Sequence, residues 1–97
     1  MERFSTCELR EKEVINLSDG ARLGCPSDFE FNVYEGLITA IIIPRPSGFL
    51  GLSRANDLVI PWKNIERIGT DAILVRITRE EEVLFNEKNQ KKSLWKL

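Results

Sequence analysis

Histidine does not occur anywhere in the 97 residues. Its absence removes the commonest general base, the commonest metal ligand and the side chain that titrates near neutral pH. Cysteine is scarce: Cys7 and Cys25 have no metal-type pair spacing and make a thin disulfide framework, so both are expected as free thiols of a reducing compartment. A charge excess is missing as well. The formal net charge is -1, which excludes a general polyanion binder, because phosphate neutralisation needs clustered Lys and Arg. No apolar run approaches the ~18 residues of a membrane span, and the start MERFSTCELREKEV lacks the apolar stretch of a signal peptide. The expectation is a cytoplasmic protein with no membrane association. Acid, base and nucleophile cannot be assembled into one site, so no catalytic residue, metal ligand, cofactor or small-molecule substrate is assigned.

The composition that remains is that of an ordinary globular chain, 42% apolar and 30% charged. At this length one domain with one modest core is expected, hiding roughly 60 to 65% of the unfolded surface. Residues 1 to 12 are charged, with Phe4, Cys7 and Leu9 able to lay a short apolar edge on the core. Val14 to Leu17 reads as a strand, and Ser18-Asp19-Gly20 turns it into a hairpin. Period two over Arg22 to Asn32 places Leu23, Cys25, Phe29 and Phe31 inside, with Pro26 marking a bulge or sheet edge. On this reading Cys25 is a small core residue rather than a reactive thiol.

Tyr34-Glu35-Gly36 closes a second hairpin before LITAIII, residues 37 to 43, which is apolar on both parities and suits a strand covered on both faces. Asp57 to Ile60 is a further strand. Pro61 then presets φ, and Trp62, Ile65 and Ile68 recur every three residues, suggesting one helical or 3-10 turn with the Trp62 indole as a core plug. Gly69, Thr70 and Asp71 turn the chain into a last strand in which Ile73, Val75 and Ile77 share one parity. Five to six short antiparallel strands with tight turns predict an all-β single-domain barrel, because closure removes exposed edges.

Two stretches stand apart as candidate partner-binding segments. The loop from Pro44 to Asn56 sets Phe49, Leu50 and Leu52 between two prolines and two glycines, flanked by Arg45 and Arg54. Its apolar residues either fold back over an open barrel end as a lid or form a partner-binding tip. Gly48-Phe49-Leu50-Gly51 lacks the lysine and helix of a phosphate loop. After Ile77 the chain becomes acidic at Glu80 to Glu82 and then basic at Lys88, Lys91, Lys92 and Lys96. It reads as a solvated extension or as an RNA-binding or membrane-surface tail, with Leu94, Trp95 and Leu97 as contact side chains.

The run Lys12-Glu13-Val14-Ile15-Asn16-Leu17, then Asp19-Gly20 and Arg22-Leu23-Gly24, begins a pattern that continues at Gly36, at Ala40 to Pro44 and at Gly48 to Leu52. It ends in Asp57 to Val75 with Ile-Pro-Trp and Ile-Gly-Thr-Asp. In order and spacing these elements resemble the PRC-barrel superfamily over residues 9 to 77, and within it the small stand-alone sporulation proteins of the YlmC/YmxH type. Pro26 and Glu11 depart from the pattern. The resemblance implies a PRC-type β-barrel domain at 9 to 77, with an N-terminal segment at 1 to 8 and a charged extension at 78 to 97. It also implies a non-enzymatic module for protein contacts, connected with sporulation, with a protein partner of unstated identity or a second copy of the chain. The alternative is an RNA- or ribosome-associated assembly factor, since the same domain lies in ribosome maturation factors. No functional residue carries over from the family.

Overall fold

The computed structural model describes residues 3 to 44 and 57 to 85. Among these, the chain folds into a short helix α1 (Thr6–Leu9), strands β1 (Glu13–Asn16), β2 (Arg22–Gly24), β3 (Asp28–Asn32), β4 (Leu37–Ile43) and β5 (Leu58–Pro61), and a 3-10 turn (Trp62–Asn64). Strands β6 (Ile65–Ile68) and β7 (Ala72–Val75) and a second helix α2 (Arg79–Leu84) follow. The fold is the expected all-β class. Its strands form two open sheets, one ordered β2-β1-β7-β6 and the other β3-β4-β5.

One apolar cluster is drawn from both sheets. Val14, Ile73 and Val75 come from the first, Ile41, Ile43, Leu58 and Ile60 from the second, and Leu9 and Ile77 close the ends. The parity read from the sequence holds at the last strand, where Ile73, Val75 and Ile77 are all buried. In β4 only the second half is covered: Ala40, Ile41 and Ile43 are buried and Leu37 is exposed. Strand β7 lies parallel to β1, while the other strand pairs are antiparallel. The parallel pair follows from connectivity, because the chain crosses to the second sheet and back before β7 returns beside β1. A hydrogen bond from the Glu13 amide to the Asp71 carbonyl, 3.2 Å, begins that pairing.

The stretch read as one strand from Arg22 to Asn32 is two strands in different sheets. Gly24 takes φ +102°, which a side chain would disfavour, and the buried Pro26 follows. Proline has no amide hydrogen for the ladder, so the chain leaves the first sheet here and enters the second. Cys25 lies in that crossing, and the strand alternation does not reach it. Contrary to the expectation of a core thiol, it is exposed, as is Cys7, and both are free.

Both helices begin with a capping box. Ser5 Oγ accepts from the Glu8 amide and Glu8 returns to the Ser5 amide, and Thr78 and Glu81 repeat the arrangement at α2. The S-x-x-E and T-x-x-E spacings carried that signal. Leu9 of α1 joins the core, and Phe85 just beyond α2 packs against it, so elements at both ends dock on the two sheets.

Candidate functional site

The eight side chains assigned from sequence to partner contact, Arg45, Phe49, Leu50, Leu52, Arg54, Lys91, Lys92 and Trp95, lie outside the described residues. Within the described residues the largest departure from core-inside patterning sits at the β3–β4 hairpin. Phe31 is 62% exposed, Val33 78%, Tyr34 99% and Leu37 59%. Phe31 was expected inside. The pairing shifts between Glu30, opposite Ala40, and Phe31, opposite Ile38, so β3 and β4 no longer match residue for residue. Such an irregularity interrupts the alternation that would have turned Phe31 inward.

The hairpin tip is held by its own polar groups. Asn32 Oδ1 accepts from the amides of Tyr34 at 2.9 Å and Glu35 at 3.1 Å, and its Nδ2 donates to Glu35 Oε1 at 3.0 Å. The Gly36 amide donates to the Asn32 carbonyl at 2.7 Å, with Gly36 at φ +69°. An asparagine serving three partners, followed by a left-handed glycine, fixes the turn and therefore the apolar side chains it displays. Exposed apolar side chains gathered around one turn make the tip a candidate contact surface.

The hairpin is also of one charge sign. From Cys25 to Pro44 the chain carries Asp28, Glu30 and Glu35 and neither Lys nor Arg, and all three carboxylates are exposed. Sequence reading missed this surface because it assigned Phe31 to the core and treated Tyr34 only as a turn residue. The available signal was the run Phe31, Val33, Tyr34, Leu37 around a turn of only a few residues, more apolar than a turn needs.

A second surface feature surrounds Phe4. On one side Phe4, Trp62, Ile65 and Ile68 line a recess of about 320 Å³ with Glu66 and Arg67 at its rim. On the other, Phe4 borders a recess of about 270 Å³ with Glu8, Glu11, Lys12, Thr70 and Asp71. Trp62 is half-buried and packs on the edge of the core. It is therefore a flank of the core rather than the plug expected from sequence. The three-residue spacing is resolved as a 3-10 turn, Trp62–Asn64, running straight into β6. Lys12 is only 5% exposed. Its ammonium donates to the Thr70 carbonyl and stands 4.4 Å from the centre of the Phe4 ring. These contacts satisfy the cation and pin the N-terminal segment, which makes Lys12 a fastening rather than a reactive amine.

Electrostatics add little chemistry. Glu8 and Glu81 are held below the usual carboxylate range, each first by the hydrogen bond from the N-cap backbone amide of its capping box. Both are helix-start groups, Glu8 exposed and Glu81 half-buried. Among the described residues, no group of three or more His, Cys, Asp or Glu is placed to hold a metal ion, and no helix is long and apolar enough to cross a membrane.

Comparison with known proteins is consistent with this architecture. A family model described as PRC-barrel domain matches residues 1–82, a span that takes in α1 and the start of α2. The chain is 44% identical over 76 residues to "Probable sporulation protein YlmC" of Bacillus subtilis (strain 168), covering 77% of this chain and 94% of that protein. It is 35% identical over 75 residues to "Uncharacterized protein YmxH" of the same strain, covering 75% and 88%. It is also 34% identical over 67 residues to "Uncharacterized protein CA_C1697" of Clostridium acetobutylicum, covering 69% and 77%.

Proposed function

The chain belongs to the PRC-barrel family, and from that premise we propose that it is a non-enzymatic protein-interaction module acting in sporulation, with the β3–β4 hairpin tip as its contact surface. One observation carries the reading: Phe31, Val33, Tyr34 and Leu37 are displayed together on a turn that Asn32 has already ordered. A surface fixed before binding loses little conformational entropy on association. Tyrosine and phenylalanine at its centre provide the large apolar area that dominates binding energy. The sporulation context is supported by the printed name of the 44% identical relative. The segment with Phe49, Leu50 and Leu52 is proposed as a second contact of the same module.

The test is a pair of substitutions at exposed positions, Phe31→Ser and Tyr34→Ser, made together. Neither removes a buried contact, so the thermal midpoint should stay within a few degrees of the parent. Proteins captured by the immobilised parent chain from sporulating cells should no longer be retained by the double variant. Retention of the same proteins by a folded double variant would rule the hairpin out.

A further inference from the structure

We propose that the basic C-terminal segment, residues 86 to 97, binds back onto the acidic, apolar hairpin tip of its own chain and so competes with any outside partner. The proposal rests on the hairpin tip being a contact surface and adds its resident occupant. Three features support the occupant: charge, side-chain character and reach.

Charge is complementary and local. The hairpin contributes Asp28, Glu30 and Glu35 with no opposing cation between Cys25 and Pro44. The segment after Phe85 carries Lys88, Lys91, Lys92 and Lys96 against the single acid Glu87. The chain as a whole is close to neutral, and these two stretches are of opposite sign. Exposed charges attract over about 8 Å at physiological salt, which makes the electrostatic part of the contact short-ranged and salt-sensitive.

Side-chain character matches too. Leu94, Trp95 and Leu97 stand next to Lys96 and close to Lys91 and Lys92. The tip offers Phe31, Val33, Tyr34 and Leu37, with Glu35 in the turn, Glu30 beside Phe31 on β3 and Asp28 at the start of that strand, opposite Ile42. An indole against a tyrosine and a phenylalanine provides apolar burial that lysine-carboxylate pairs alone would not, because exposed ion pairs contribute little by themselves.

Reach is set by where the segment starts. The Phe85 carbonyl accepts from the Val59 amide at 2.8 Å, which fastens the end of α2 to β5. Val59 is paired with Ile42 of β4, and the tip begins at Leu37, the opposite end of the same strand. Five residues of strand span about 17 Å at ~3.3 Å per residue. Trp95 follows Phe85 by ten residues, a contour of up to about 33 Å when extended, so it can arrive at the tip with slack. A tether of this length gives an effective concentration on the order of millimolar, so a weak contact is occupied within one chain before a second copy competes.

The experiment uses the full chain. With Cys7 and Cys25, both exposed, replaced by serine and a nitroxide attached through Ser93→Cys, the amide resonances of residues 33 to 37 should lose about half their intensity or more at low salt, as expected for a contact occupied most of the time. The loss should fall when Asp28→Lys and Glu30→Lys are introduced together, and again with Leu94→Ser and Trp95→Ala. A mixture of isotope-labelled chain without nitroxide and unlabelled chain with it should show no loss. Undiminished resonances at the tip, or broadening that appears at the Phe4–Trp62 recess instead, would overturn the proposal. So would broadening that persists in the mixture, which would assign the segment to a second copy. None of these outcomes depends on whether an outside partner is captured, so the hairpin can fail as a partner site while retaining its own tail, and the reverse.

Discussion

The buried side chain of Asn16 pairs with the backbone of Ile77 as another strand residue would. Its Nδ2 donates to the Ile77 carbonyl at 3.1 Å and its Oδ1 accepts from the Ile77 amide at 3.2 Å. Oδ1 also accepts from the Ser18 amide at 3.1 Å. The β1–β7 pairing ends at Asn16 and Val75, and the amide continues the ladder by one more residue in a place where both partners are dry. Ile77, itself buried, is thereby fixed as the closing side chain of the core.

Replacing Asn16 with leucine should therefore cost about 2 to 4 kcal/mol, since it leaves buried backbone groups without partners. Urea unfolding followed by Trp fluorescence would read this as a lowered midpoint with an unchanged slope. A midpoint equal to the parent would show that water takes over the Ile77 groups.

The two apolar residues Ile73 and Trp62 should rank in the reverse of their size. Ile73 is fully buried in the cluster, so Ile73→Ala is expected to cost about 2 to 5 kcal/mol. Trp62 is only half-buried and opens onto a recess, so Trp62→Ala should fall at or below about 3 kcal/mol, the low end for a tryptophan deletion. Thermal melts of the two variants side by side decide the order.

Lys12 should tolerate loss of charge better than loss of length. Lys12→Met keeps the buried length of the side chain while giving up the ammonium over the Phe4 ring, and the Thr70 carbonyl it abandons belongs to an exposed turn residue that water can reach. The methionine variant is expected within about 1 kcal/mol of the parent, and Lys12→Ala further below it. Equal losses in both variants, measured by denaturant midpoint, would place the stabilisation in the ammonium instead.

Acid should loosen the two helix starts before it unfolds the sheets. Glu8 and Glu81 have folded pKa values depressed below the ordinary 4.5. Their contribution is thus fully present above that ordinary value and is lost as pH falls through the depressed folded values. In a carboxyl NMR titration both should show low midpoints, and Thr78→Ala should move Glu81 upward while leaving Glu8 in place. A Glu81 midpoint already at the ordinary value in the parent would mean that its capping box is open in solution.

Local chemistry made much of the fold readable. Asp19-Gly20 and Tyr34-Glu35-Gly36 are turns where turn residues stand, with Gly20 and Gly36 both at positive φ. The alternation of Ile73, Val75 and Ile77 gave the buried face of the last strand. The reading failed where a single break redirects the chain. At Gly24 to Pro26 one extended stretch becomes two strands of different sheets, and at Glu30–Phe31 a shift in pairing exposes a phenylalanine that parity would bury. Both are properties of strand pairing, which depends on residues distant in sequence.

The sequence by itself determined the class of structure, the family and the absence of histidine chemistry, because composition, turn residues and period-two patterning are local or additive properties. Tertiary structure decided which apolar residues are core and which are display. Trp62 moved to the flank of the core, Cys25 to the surface and Phe31 to the hairpin tip, since burial depends on what lies across the sheet. It also decided that two polar side chains, Lys12 and Asn16, belong inside: each finds there the carbonyl, amide or ring that replaces water, and no one-dimensional pattern records such a partner.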